Sequence, residues 1–353
     1  MNIHTKLENT RQTLQALGDA VYNLVTSSSD IFDDPAIQSR LEDFLTAHKE
    51  ATQRLLNPRL IMAAIGTTSS GKSTAVNALM GRSIAPIEAG EMSGGVLTLR
   101  HSEESRLIIE ATPEAVWETG EWTDLSDDEI YSKIQAVMHR YHQERKKKEL
   151  IAPQIKVDAS LFPACDLTFS GLPEGIGLEF LDLPGLKSVQ DRANLAVIQP
   201  LVGKAFSIVT LDYTQVDEEH RQKLLAELKK VVEYLQGRTD SMIFVLNRVD
   251  RRTQKDKSIE ERIAELKVEI KDILGLKEEP DVLPFNALLL FYAQCAWGNS
   301  PLKEPSTVDP EVRLKHLQDL FNDCLNILFQ YSANDPTITT WLLDVRTKVI
   351  NNE

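Results

Sequence analysis

The sequence predicts an α/β fold: a mostly parallel sheet flanked by helices, with a small helical bundle contributed by the N- and C-terminal segments. Three observations predict it. Short apolar runs recur at 59–65, Gly95–Leu99, Leu107–Ala111, Leu178–Leu183, Phe206–Leu211, Met242–Leu246 and Val282–Phe285. Helical patterns, notably Asp217–Leu235 and Ile259–Leu274, separate several of them. Such alternation is the pattern of strands joined by crossover helices. A glycine-rich turn, residues 66–73, sits between the first apolar run and a helical pattern.

Taken in order, residues 1–57 read as helical. Leu7, Leu14, Leu17, Val21 and Leu24 recur at helical spacing. A break follows at Ser27–Pro35, where Asp33-Asp34-Pro35 suits a helix start. A second helix carries Ile37, Leu41, Phe44, Leu45 and Leu55 inward. The run RLIMAAI then reads as a buried parallel strand. Residues 112–176 are long for one connection; they hold a helix from Asp127 to Leu150 and an edge strand near Ile155–Val157. The Lys146-Lys147-Lys148 run reads as a solvated helix end. After Tyr292 the chain turns helical again. Leu314, Leu317, Phe321, Leu325 and Leu328 make one stripe, and Ile338, Trp341, Leu342, Val345 and Val349 make another, with Asn334-Asp335-Pro336 between them. These stripes need a partner surface, which the helices of the other chain end can supply. The domain reading is therefore a helical segment at 1–57, a nucleotide domain at 58–300, and C-terminal helices at 301–353.

Composition bounds the function. A formal charge of −14 on 353 residues disfavours a general nucleic-acid or anionic-membrane binder, so no direct nucleic-acid binding is expected. Three widely spaced cysteines, Cys165, Cys295 and Cys324, form neither a disulfide framework nor a CxxC metal site and read as buried thiols. The opening MNIHTKLENTR lacks an apolar signal core, and the longest apolar runs fall short of a membrane span. The expectation is a cytoplasmic protein, at most peripheral to a membrane.

Residues 66–73 read Gly-Thr-Thr-Ser-Ser-Gly-Lys-Ser, matching G-x-x-x-x-G-K-[ST] in its required strand-to-helix setting. This is the phosphate loop of a P-loop NTPase. Gly66 and Gly71 permit backbone angles that side chains forbid, so amides around Ser70 can turn inward on phosphate oxygens. The helix that follows, through Thr74, adds the positive end of its dipole. Lys72 reaches the β- and γ-phosphates, and the Ser73 hydroxyl binds Mg²⁺. Asp182-Leu183-Pro184-Gly185 ends an apolar strand: Asp182 can hold Mg²⁺ through water, and the Gly185 amide can meet the γ-phosphate. Ser93, in the loop from Pro86 to Gly95, is the candidate first-switch hydroxyl, completing the metal shell and orienting the attacking water.

The phosphate loop alone does not choose between ATP and GTP. Asn247-Arg248-Val249-Asp250 does. It follows Met242–Leu246 and fits N-[KR]-x-D. The Asp250 carboxylate can accept from guanine N1–H and the 2-amino group; adenine offers no such donor pair. Asn247 ties this loop to the phosphate loop, and the stem of Arg248 covers one face of the base. Amides of Asn286-Ala287, after the last strand, can meet guanine O6. These motifs, in this order and each at a strand end, imply a GTP/GDP site.

On these residues the sequence resembles the dynamin superfamily, most closely bacterial dynamin-like proteins. The resemblance rests on Gly66–Thr74 with Asn77-Ala-Leu-Met-Gly81, on Pro86 with Ser93 seven residues on, on Asp182-Leu-Pro-Gly-Leu-Lys-Ser-Val189, and on Leu211-Asp-Tyr-Thr214 with the NRxD loop. It covers about residues 55–300. It implies GTP hydrolysis to GDP and phosphate, a homodimer or homo-oligomer formed through the GTPase face, and a helical neck moved by hydrolysis. It also implies that Ser69 helps hold a monovalent cation, K⁺ or Na⁺, beside the phosphates, and that a peripheral membrane or protein partner is engaged. Thr68 stands where many eukaryotic members carry the glutamine that places the catalytic water, and Ser93 replaces the usual threonine. The alternative expectation is therefore a slow nucleotide-gated module that recruits a protein partner in its GTP state.

Overall fold

The computed structural model describes residues 3–27, 34–66, 70–87, 94–147, 150–161, 175–183, 205–214, 222, 225–226, 229, 242–252, 256–298, 300 and 304–352. Two units are distinguished: residues 1–60 with 167–178, and residues 61–166 with 179–353.

In the first unit, α1 (Ile3–Ser27) and α2 (Pro35–Leu56) lie against each other. Asp34 caps α2 by accepting from the Ala36 amide, and Pro35 occupies the first turn, where its missing N–H costs nothing. The helices approach closely at Gly18: a Cβ there would come within 2.6 Å of the His48 ring. That ring instead donates from Nε2 to the Leu14 carbonyl at 2.9 Å.

The sheet has nine strands. They are β1 (Arg59–Gly66), β2 (Val96–His101), β3 (Arg106–Ile109), β4 (Gly120–Thr123), β5 (Gln154–Ala159), β6 (Gly177–Asp182), β7 (Phe206–Asp212), β8 (Met242–Asn247) and β9 (Val282–Pro284), in spatial order β4-β3-β5-β2-β6-β1-β7-β8-β9. One half, β1-β7-β8-β9, is parallel throughout. The other half mixes a parallel β2·β5 pair with antiparallel β2·β6, β3·β5 and β3·β4 pairs.

That second half corrects the sequence reading twice. The strand at Ile155–Val157 is not an edge strand; β5 runs between β3 and β2. Its polar residues are paired: Asp158 binds both Arg100 and Arg106, and Lys156 binds Glu110. The edge is β4, four residues that carry no buried side chain and so gave no apolar signal. The helix expected over Asp127–Leu150 is α4, Asp127–Glu144, started by a reciprocal capping box between Ser126 and Glu129.

A second capping box, Ser258 with Glu261, starts α5 (Ile259–Leu274), and Gly275 ends it in the left-handed conformation at φ 67°. Leu266 and Ile270 of α5 join the core of β1, β6, β7 and β8. Of the helix expected at Asp217–Leu235, four positions are described, all helical, and Leu225 is buried in this core; the rest lies outside the described residues. Helix α6 (Ala287–Trp297) begins several residues before the expected turn to helix at Tyr292. It packs along α3 (Lys72–Met80), with Phe291 and Cys295 against Ala78.

Asp309-Pro310 and Asp335-Pro336 repeat the Asp-cap, Pro-first arrangement to start α7 (Pro310–Ser332) and α8 (Pro336–Ile350). Leu320, Phe321, Leu342 and Val349 bury together between these two helices, with Leu289 and Tyr292 of α6 against them. Cys295 and Cys324 are buried thiols, held at about 12 chiefly by burial; Cys165 lies outside the described residues. Among the described residues no helix is long and apolar enough to cross a membrane.

Candidate nucleotide-binding site

The parallel half of the sheet brings the start of the phosphate loop and the base loop to neighbouring strand ends. In register, Gly66 faces Thr210, Asp212 faces Asn247, and Leu246 faces Pro284. The carboxyl ends of β1, β7, β8 and β9 therefore lie side by side, where open α/β sheets bind ligands.

Gly71 is the N-cap of α3, at φ 88°. Two constraints demand glycine there. The backbone is left-handed, and a Cβ would sit 2.3 Å from Asn247 Nδ2. That nitrogen donates to the Ser70 carbonyl at 2.9 Å, strapping β8 to the phosphate loop. Gly66 is equally confined: a Cβ there would lie 2.7 Å from both Ser70 Oγ and the Thr210 carbonyl. Gly71→Ala is expected to cost about 1–2 kcal/mol from the backbone alone, and more once the strap is displaced. Thermal unfolding and nucleotide affinity should both fall; a variant matching the parent in both would remove the strap from the site. Thr68 and Ser69 lie outside the described residues.

At the start of α3, Lys72 is 5% exposed. Burial lowers the pKa of its ammonium, and Asp182 pushes it back up. Ser73 Oγ donates to Asp182 Oδ2 at 2.7 Å. The other oxygen, Oδ1, is buried and has no hydrogen-bond partner among the described residues. Burial raises the Asp182 pKa, opposed by Lys72 and Ser73. A buried carboxylate oxygen left unsatisfied is costly unless something else occupies it. A hydroxyl beside a carboxylate with a spare oxygen is a donor set that suits Mg²⁺, which takes oxygen ligands and keeps several waters. Thr74 follows, half-buried on α3. Ser93 and Gly185 lie outside the described residues.

The base loop is built as a brace. Asn247 Oδ1 accepts from the Ala287 amide at 3.0 Å while Nδ2 holds Ser70, so one buried side chain joins the phosphate loop to the start of α6. The Ala287 amide, expected to face the base, is committed to Asn247 in this arrangement. Asp250 lies in a 3₁₀ turn, Val249–Arg251. Its Oδ1 accepts from Asn286 Nδ2 at 3.0 Å, and Asn286 Oδ1 caps α6 by accepting from Leu289 N at 3.0 Å. Arg248 pairs with Asp212 at 2.8 Å, its guanidinium partly exposed.

The family profile described as "Dynamin family" matches residues 62–249, more than half of the chain, from within β1 to the base loop. The chain belongs to the dynamin family. Among solved structures, this dynamin-family chain is similar to LeoA, a bacterial dynamin GTPase from ETEC, at 15% identity and a TM-score of 0.38, over 81% of this chain and 39% of that one. It is also similar to two structures of an oligomerised bacterial dynamin pair described in terms of long-range sensing and tethering of membranes. One has 17% identity, a TM-score of 0.44, and coverage of 95% of this chain and 50% of that one. The other has 15% identity, a TM-score of 0.43, and coverage of 95% and 55%. The chain thus spans 39% to 55% of the length of these proteins. No curated protein sequence matches it.

Two residues of this dynamin-family site carried no assigned role in the sequence reading. Asn77 of α3 is fully buried; its Nδ2 donates to the Ala85 carbonyl at 2.7 Å, and its Oδ1 accepts from the Ile84 and Ala85 amides at 3.2 and 2.8 Å. It thereby ties the loop after the phosphate-loop helix back onto that helix. A lone amide among the apolar residues of KSTAVNALM was the available signal. The other is Asp212, whose position at a strand end was visible but whose partner was not.

Proposed function

We propose that this protein binds GTP together with Mg²⁺ and hydrolyses it to GDP and phosphate as a dynamin-like GTPase. The observation that carries the reading is the double anchoring of Asn247, to the Ser70 carbonyl and the Ala287 amide. It makes the phosphate loop and the base loop one rigid unit, as differential recognition of a whole nucleotide requires.

In this reading the amides of the 66–73 loop turn inward and, with the Lys72 ammonium, grip the β- and γ-phosphates. Ser73 and Asp182 hold Mg²⁺, with Ser93 as the third contributor. Bound Mg²⁺ neutralises charge that develops on the phosphate oxygens. Buried Lys72 adds charge in a water-poor setting, where it counts for more. Thr68 and Ser93 act on the attacking water, Ser69 helps to hold K⁺ or Na⁺, and the Gly185 amide meets the γ-phosphate. Asp250 reads guanine, with Arg248 flanking the base and the Asn286 loop beside it.

The proposal extends to assembly. Two copies meet across the nucleotide face, and hydrolysis moves a neck formed by residues 1–57 and 301–353 against the GTPase domain at 58–300. A peripheral membrane or a protein is the partner of the assembled form, in keeping with the sensing and tethering of membranes described for the bacterial dynamin pair. The test is GTP turnover per molecule against protein concentration, with mass measured in a transition-state mimic. Turnover should rise with concentration and the mass should double. A tight GTP complex with negligible turnover at every concentration would instead favour a slow nucleotide-gated module recruiting a protein partner.

A further inference from the structure

Asp212 ends β7 directly across the register from Asn247, the last residue of β8. Its side chain is 1% exposed, although no step of the reading above uses it. A carboxylate persists out of water only when its oxygens are occupied. Here both are. Oδ1 accepts from the Thr214 amide at 2.8 Å and the Thr214 hydroxyl at 2.7 Å, and Oδ2 accepts from Arg248 Nη1 at 2.8 Å. The Tyr213 amide also donates to the Asn247 carbonyl at 2.9 Å, which laces the two strand ends together just past the sheet.

The partner is the informative member. Arg248 sits at φ 62° and ψ 32°, a left-handed conformation that crowds the Cβ of any residue but glycine. That one residue turns the chain between two contacts. Before it, Asn247 holds Ser70; two residues after it, Asp250 meets Asn286. Its angles therefore set where the base-reading carboxylate lies relative to the phosphate loop. The Arg248 side chain is 42% exposed, so packing holds it weakly, and the ion pair to a buried, fully engaged carboxylate is its fixed point.

We infer that Asp212 is a positioning residue for guanine recognition: by pairing with Arg248 it keeps the 247–250 turn on the left-handed course that presents Asp250 to the base. This rests on the guanine-nucleotide reading above. A plain brace between two strand ends would change stability without changing which base is preferred. Inosine nucleotides lack the 2-amino group of guanine, so comparing GDP with IDP isolates one of the two hydrogen bonds assigned to Asp250.

Affinities for GDP, IDP and ADP should be measured on the full chain as wild type, Asp212→Asn, Arg248→Met and the double variant. Asp212→Asn keeps an acceptor for Thr214 and removes the charge; Arg248→Met keeps an apolar stem against the base and removes the pair from its exposed end. Each single variant is expected to weaken GDP about tenfold, the scale of a lost charge-assisted hydrogen bond. IDP should weaken less, so the GDP-to-IDP preference falls. The double variant should be no worse than the worse single one, because both remove the same link. Unchanged GDP affinity, equal losses for GDP and IDP, or additive losses in the double variant would overturn the inference. Wild-type protein that binds ADP as tightly as GDP would overturn the guanine reading itself.

Discussion

Lys72→Ala is expected to abolish GTP turnover and to weaken triphosphate binding by on the order of a hundredfold or more, taking two charge-assisted phosphate contacts as the loss. The ammonium stands at the first position of α3, directly after the left-handed Gly71 and beside Ser73, with 5% of its surface exposed. Burial works against its charge, and Asp182 supports it. In the proposed reading the phosphate oxygens of a bound triphosphate take charge-assisted hydrogen bonds from this ammonium. Alanine removes the cation and leaves the loop geometry, which depends on Gly71 and Asn247, in place. Isothermal titration with GTP and a phosphate-release assay, on protein that still unfolds cooperatively, would check it. Hydrolysis equal to the parent's would remove Lys72 from the phosphate site.

How much of this was legible beforehand depended on the range of the interaction. The phosphate loop and base loop were readable because their chemistry is local: Gly66, Gly71 and Asn247 each end or follow a short apolar run, and parallel strands bring such ends together without further information. The start of α2 and the break before α8 were readable for the same reason, since an aspartate cap and the proline after it are neighbours in sequence. Long-range charge pairing was not readable. The ion pairs of Asp158 carry no local signal because its partners Arg100 and Arg106 lie 58 and 52 residues away. The Asp212–Arg248 pair, 36 residues apart, likewise needs the β7·β8 register and a left-handed residue before it can exist. Strand β4 was missed because four residues on a sheet edge, none of them buried, have no burial to impose a pattern.

Asp250→Asn is the second large expected effect: loss of GTP preference and gain of xanthosine triphosphate. The carboxylate has acceptors only, and guanine offers N1–H and a 2-amino group, both donors. The substituted amide keeps one acceptor and gains a donor. Two donors bear on which way it turns: Asn286 Nδ2, 3.0 Å from Oδ1, and the largely exposed Arg251, whose Nε lies 3.5 Å from Oδ2. Asn286 Nδ2 now donates to Asp250 Oδ1, and Asn286 Oδ1 is committed to capping α6, so Asn286 can offer only a donor. The shorter contact keeps the amide oxygen of the variant toward Asn286, the exposed Arg251 side chain swings into solvent, and the NH₂ group takes the place of Oδ2. Against guanine's amino group that is two donors facing each other; against the xanthine 2-carbonyl it is a hydrogen bond. One bond lost and one unpaired donor come to about 3–4 kcal/mol, so the GTP-to-XTP affinity ratio should fall by on the order of 10²–10³. Competition of GTP and XTP for a fluorescent guanine nucleotide on the parent, and for its xanthine counterpart on the variant, measures the ratio directly. If the variant still selects GTP, the base is read by some group other than Asp250, and the Asp250–Asn286 contact is merely structural.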